Sequence, residues 1–218
     1  MLLSPRYRFL FVHIPKTGGT SIRAALRYYK WADPARLPLY FLSRLSAVSG
    51  HRLGCKLPRH ARVIAAREML PRDYFDSLFK FAFVRNPWDL QVSSYHHLRR
   101  ERPQLLEGIT DFEGFLRLKL DPNRPPVYHF DVTMELQSSY LVDLEGRIIV
   151  DFVGRYERLA EDFDHACRRI GIPTPNLPHK RQARDRGDYR PYYTDTTASW
   201  IAAHFQRDLE LFGYSFDG

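Results

Sequence analysis

Apolar residues follow two patterns along this chain: short unbroken runs that stop at turn residues, and longer stretches with helical spacing between them. The run Arg8 to Ile14 (RFLFVHI) stops at Pro15 and predicts a buried parallel strand. Ser21 to Lys30 (SIRAALRYYK) then shows helical spacing, so the chain opens as strand, tight Gly-containing turn, helix. Phe79 to Val84 (FKFAFV) predicts a second buried strand, broken by Asn86 and Pro87. A helix over Trp88 to Arg100 follows, with Asn86 as its N-cap and Pro87 at its first position. The turn signal Glu145-Gly146 introduces a third strand, Arg147 to Val153 (RIIVDFV). Arg158 to Ile170 reads as an amphipathic helix closed by Gly171 and Pro173. A last helix, about Thr196 to Phe212, carries Trp200, Ile201, Phe205, Leu209 and Phe212 as a core stripe.

Strands alternating with helices predict an α/β fold, a parallel sheet covered by helices on both faces. No repeat, low-complexity segment or domain boundary interrupts the pattern, so residues 1–218 read as one domain. Leu177 to Tyr193 (LPHKRQARDRGDYRPYY) is polar, basic and punctuated by Pro and Gly, and predicts a loop.

Composition narrows the class. Hydrophobic residues make up 44% and aromatics 14% of the 218 residues, which supplies a core and excludes a disordered chain. A formal charge of +8 attracts polyanions of several kinds: nucleic acid, anionic lipid, phosphorylated nucleotides or acidic glycans. Cys55 and Cys167 are the only two cysteines, too few and too scattered for a disulfide framework or a metal site. Pro5, Arg6 and Arg8 interrupt any signal-peptide core, and no apolar run approaches the ~18 residues of a membrane helix. The expectation is a soluble, cytoplasmic protein with no transmembrane segment.

Chemistry enters at the first turn. The first strand runs into HIPKTGGTS, His13 to Ser21. Adjacent glycines let the backbone turn sharply and approach a ligand, and helix-start N–H groups favour an anion. Lys16, Thr17, Gly18, Gly19, Thr20 and Ser21 together form a candidate phosphate or sulfate cradle. It is not a Walker A motif, because Lys16 precedes the glycine pair rather than following it. His13 reads as strand packing. In the second unit Arg85 sits just past a strand end and Ser93 lies eight residues on, a fork and a hydroxyl suited to a terminal phosphate.

Taken together, these segments resemble the sulfotransferases of the carbohydrate (Golgi-type) kind that use 3′-phosphoadenosine 5′-phosphosulfate (PAPS). HIPKTGGTS resembles their 5′-phosphosulfate loop, and FAFVRNPWD…VSSY their 3′-phosphate motif with its Arg-to-Ser spacing of eight. VGRYERLAEDFDHACRRIGI and YRPYYT…DLELFGYSF resemble the later parts of the same family, in order, so the likeness covers nearly the whole chain. The resemblance implies a P-loop-like α/β fold, PAPS as donor and in-line sulfuryl transfer without a metal. It implies that Lys16 to Ser21 hold the 5′-phosphosulfate, with Lys16 catalytic, and that Arg85 and Ser93 hold the 3′-phosphate. It also implies a hydroxyl acceptor on a glycan or glycoconjugate, with no nucleic acid as partner. The family continues R-N-P-W-D as Arg-Leu-Val-Ser, whereas this chain has Leu90-Gln91-Val92-Ser93, so a local ion pair is expected to be missing.

The family's general base lies between the first helix and the second strand, in a His-x-Thr-Ala-like stretch. Of nine histidines, His51 and His60 fall there. His60 has the matching distance to the 3′-phosphate strand and is the expected base, with Arg62 where the family has Thr. Two rival readings stand beside this one. RIIVD, ending in Asp151, fits the magnesium strand of a P-loop kinase-like phosphotransferase, and the +8 charge fits a non-catalytic polyanion binder. Arg99, Arg100, Arg102, Arg181, Arg184 and Arg186 are candidates to receive an acidic sugar.

Overall fold

The structure is a computed structural model that describes residues 1–31, 41, 42, 45, 57–178 and 187–218. Four strands, β1 (Leu2–Ser4), β2 (Phe9–Val12), β3 (Phe79–Val84) and β4 (Phe152–Arg155), form one sheet in the order β1-β2-β3-β4. β2, β3 and β4 are parallel, with Phe11 opposite Phe81 and Phe81 opposite Phe152. β1 is antiparallel to β2. The sheet is therefore mixed rather than purely parallel, and β1 is an addition that its three residues did not signal.

Alternation along β2 and β3 fills two cores, because successive side chains of a strand point to opposite faces. Leu10, Val12, Ala82 and Val84 pack with Val63, Ala66, Phe75 and the C-terminal Phe212 and Tyr214 on one face. Phe9, Phe11, Phe81 and Phe83 pack with Ile22, Leu26, Phe163, Ala166 and Cys167 on the other. The helices Gly19–Ala25 and Leu159–Ile170 thus cover one face, and Val63–Met69 and Arg72–Asp76 the other. A third cluster joins Trp88, Val92 and Tyr95 of the Pro87–Glu101 helix to Phe112, Phe115, Phe130, Ile201 and Phe205. Among the described residues no helix is long and apolar enough to cross a membrane.

Several expected boundaries moved for identifiable reasons. The first helix breaks after Ala25 and resumes at Arg27 as Arg27–Trp31. The last one divides into Asp195–His204 and Gln206–Phe212. Phe205, wholly buried at the break, belongs to the helical cluster, whereas Phe212 packs against the sheet. A single straight helix could not serve both cores. The third strand begins at Phe152 rather than Arg147 because 141–149 pairs with itself. Asp143 N–H donates to the Arg147 carbonyl at 2.9 Å and Ile149 N–H to the Leu141 carbonyl at 2.9 Å.

Two buried polar contacts then fix the end of β3. The Gln137 side chain brackets the Arg85 backbone, accepting from its N–H and donating to its carbonyl, each at 2.8 Å. Asp208, fully buried, accepts from the Gln137 and Ser138 amides at 2.6 and 3.0 Å. Asp208→Asn should cost about 1.5–3 kcal/mol, the scale of hydrogen bonds to a charged group. Urea unfolding followed by circular dichroism measures it, and an unchanged midpoint would refute the role.

Candidate active site

The phosphate-like turn and the start of the Pro87–Glu101 helix meet at the C-terminal edge of the parallel strands, where open α/β sheets bind ligands. They enclose a cleft of about 730 Å³. Lys16, Gly18, Gly19, Thr20, Ser21, Arg85 and Ser93 all line it. Thr17 does not: it is wholly buried, and its hydroxyl donates to the Ile14 carbonyl at 3.0 Å, stapling the turn from inside.

The turn is conformationally demanding. Lys16 has φ 65°, in the left-handed region that non-glycine residues avoid, and Gly18 has φ 81°. Gly18 is the N-cap of the Gly19–Ala25 helix and has no side chain to bond the first turn's N–H groups. Gly19 is required by a close approach instead. A Cβ there would lie 2.0 Å from Cδ2 of His13.

His13 is the residue that the strand-packing expectation undervalued. It is 3% exposed, lies against Phe11 with ring centroids 5.7 Å apart, and lines the cleft beneath Gly19. Burial, reinforced by nearby His60, holds its pKa down at about 2, so the ring is neutral. Its Nδ1 is buried without a hydrogen-bond partner among the described residues.

His60 stands behind His13, ring centroids 4.5 Å apart, and is not among the residues that line the described cleft. Its Nδ1 lies 3.0 Å from the His13 carbonyl oxygen. A carbonyl can only accept, so Nδ1 carries the proton of the neutral ring and Nε2 keeps its lone pair. Burial lowers the His60 pKa, with the His13 carbonyl opposing it. His51 lies outside the described residues, as do Cys55, Arg181, Arg184 and Arg186.

On the opposite wall, Asn86 caps its helix as expected: Oδ1 accepts from Trp88 N–H at 3.0 Å. Asp89 ion-pairs with Arg85 at 2.6 Å, so this carboxylate has a cation despite the departure from the family's Arg-Leu. At that departure Leu90 is buried, and Gln91 donates to the Thr133 carbonyl and accepts from buried Lys119. Arg85 is itself buried, which lowers its pKa, while Tyr156 and Glu157 oppose the shift. His96, His97 and Arg100 continue the face of Asp89 and Ser93 at helical spacing, and all line the cleft. That spacing was available in the sequence. His96 Nε2 sits 2.8 Å from the Tyr192 hydroxyl. Of the other acceptor candidates, Arg99 lies over the Tyr95 ring and Arg102 is exposed past the helix end.

Asp151 does not sit where a magnesium strand would place it. It precedes β4 at the opposite end of the sheet, accepting from Lys80 N–H at 2.6 Å and from its ammonium at 3.0 Å. Among the described residues no group of three or more His, Cys, Asp or Glu gathers as metal ligands would.

Comparison with known proteins gives consistent matches. A family model described as "Sulfotransferase family" matches residues 1–215. Carbohydrate sulfotransferase 14 of Danio rerio is 23% identical over 252 residues, covering 98% of this chain and 62% of its own length. The Homo sapiens protein of that name is 24% identical over 221 residues, covering 88% of this chain and 50% of its own length. An uncharacterized protein of Archaeoglobus fulgidus is 30% identical over 111 residues, 49% of this chain. The chain thus spans between half and two thirds of the length of these sulfotransferase relatives. No solved structure matches.

The His13–Gly19 contact yields a test. Gly19→Ala should destabilise the fold by about 1–3 kcal/mol, the usual cost of overpacking. Adding His13→Ala should return part of that loss in a double-mutant cycle read by urea unfolding. Strictly additive effects would show that the two residues do not press on each other.

Proposed function

The chain belongs to the sulfotransferase family, and from that premise we propose that residues 1–218 act as one sulfotransferase domain that uses PAPS and sulfates a carbohydrate hydroxyl. The observation that carries this reading is convergence. Lys16 and Gly18 to Ser21 reach the same cleft as Arg85 and Ser93, although some 70 residues separate the two segments. Two anion-binding groups from separate segments in one cleft suit a nucleotide phosphorylated at two positions. Arg100, which lines the cleft about two helical turns on from Ser93, adds positive charge that favours an acidic acceptor.

When bound, the donor supplies an activated sulfuryl group, which passes to the acceptor oxygen and leaves 3′,5′-adenosine bisphosphate. In this reading Lys16, Thr20 and Ser21 with the turn's N–H groups hold the 5′ end, and Arg85 and Ser93 the 3′-phosphate. The Lys16 ammonium offsets the negative charge that grows on the oxygen released from sulfur. His60 takes the acceptor's proton on Nε2, since the His13 carbonyl keeps the proton on Nδ1. His13, held neutral by burial, adds no competing positive charge beside Lys16.

The donor reading predicts that 3′,5′-adenosine bisphosphate binds and raises the melting temperature by mass action. ATP, without a 3′-phosphate, should bind much more weakly. Titration calorimetry giving equal affinities for the two would sink the PAPS assignment.

The base reading predicts a particular kinetic pattern. His60→Ala should lower kcat and kcat/KM together by ~10²-fold or more and leave bisphosphate affinity nearly intact. His51→Ala should do much less. A protonated His60 cannot accept a proton, so kcat/KM should rise with pH. Because burial lowers its pKa, the midpoint of that limb should lie below the ordinary histidine value of 6.5. A limb above 6.5, or one that survives in His60→Ala, would assign the base elsewhere.

A further inference from the structure

Arg85 is engaged on three sides within the protein itself. Its Nη1 donates to the Lys16 carbonyl at 3.0 Å, its Nε donates to Asp89 at 2.6 Å, and its guanidinium carbon lies 4.0 Å from the centre of the Tyr156 ring. The side chain is 5% exposed. Lys16, whose carbonyl it holds, is the residue with φ 65° in the middle of the phosphate turn. A non-glycine residue in the left-handed region persists only where surrounding contacts over-determine it. The Thr17 bond to the Ile14 carbonyl is one such contact within the loop, and the Arg85 bond reaches the turn from outside it.

We infer that Arg85 is a positioning residue for the 5′ end of the donor site as well as a ligand for its 3′ end: it fixes the Lys16 backbone so that the ammonium and the turn keep one geometry. This rests on the donor reading above. The planar fork makes the role possible. Separate edges can bond a backbone carbonyl and a carboxylate while the face stacks on a ring, which an ammonium cannot reproduce. The arrangement also couples the two ends. Whatever moves the guanidinium moves the Lys16 carbonyl, so a change at Arg85 must be felt by a ligand that never touches the 3′ site.

The test uses two ligands. Adenosine 5′-phosphosulfate carries only the 5′ group, and 3′,5′-adenosine bisphosphate carries the 3′-phosphate. Calorimetry on Arg85→Lys should show about tenfold or greater loss of affinity for both, the scale of a charged hydrogen bond. Ser93→Ala should weaken the bisphosphate alone. Melting without ligand checks that each variant is folded. Asp89→Asn loosens the same guanidinium from its other side and gives a second measurement, with a smaller loss for both ligands expected. An Arg85→Lys protein that loses the bisphosphate but binds adenosine 5′-phosphosulfate like the wild type overturns the inference and leaves the donor reading standing. Wild-type protein that binds neither ligand overturns both.

Discussion

Glu157 offers one carboxylate to two distant segments: Oε1 accepts the Asn86 amide at 2.7 Å and Oε2 the Tyr214 hydroxyl at 2.9 Å. Asn86 ends the run from β3 and caps the Pro87–Glu101 helix, Glu157 follows β4, and Tyr214 lies past the last helix. One shared acceptor thus ties together the segments that follow β3 and β4 and the stretch after the last helix. Burial and this carboxylate both push the Tyr214 phenol up, which keeps it protonated and donating. The cation sites next to this node depend on it, because Arg85 precedes Asn86 and Tyr156 precedes Glu157 in the chain.

The electrostatics of the cleft are more selective than a net charge of +8 suggests. Arg85 is fixed by a carboxylate, a carbonyl and a ring before any ligand arrives. His13 faces the cleft but is neutral. Positive potential is therefore placed at defined points, where it needs little reorganisation to meet an anion. A wall of protonated side chains would attract polyanions without reading them.

Much of this was legible in the sequence. The strands β2 and β3 are apolar runs bounded by turn residues, and the N-cap at Asn86 follows from local backbone chemistry. The convergence of Lys16, Arg85 and Ser93 follows from topology, since parallel strands deliver their C-terminal ends to one edge. Other features depend on contacts that no local pattern encodes. Thr17 and Thr20 sit in one short motif, yet Thr17 turns inward to the Ile14 carbonyl while Thr20, in the first turn of the helix, lines the cleft. His13 lies within an apolar run and reads as packing, and its place in the cleft wall follows from the missing side chain at Gly19. The break at Phe205 comes from two cores competing for one amphipathic stripe.

The pairing of the start of the Pro87–Glu101 helix with residues 215 and 216 has a consequence for biosynthesis. Asn86 Nδ2 donates to the Ser215 carbonyl, 129 positions later in the chain. Phe216 packs edge-on against Trp88, centroids 5.5 Å apart, and its carbonyl accepts from the Tyr189 hydroxyl. A ribosome adding about 5–20 residues per second needs roughly 6–26 s to cover that interval. Throughout it the nascent chain holds both segments that line the cleft but leaves the start of the Pro87–Glu101 helix unlatched. The start of that helix is therefore completed only once residues 215 and 216 have been made.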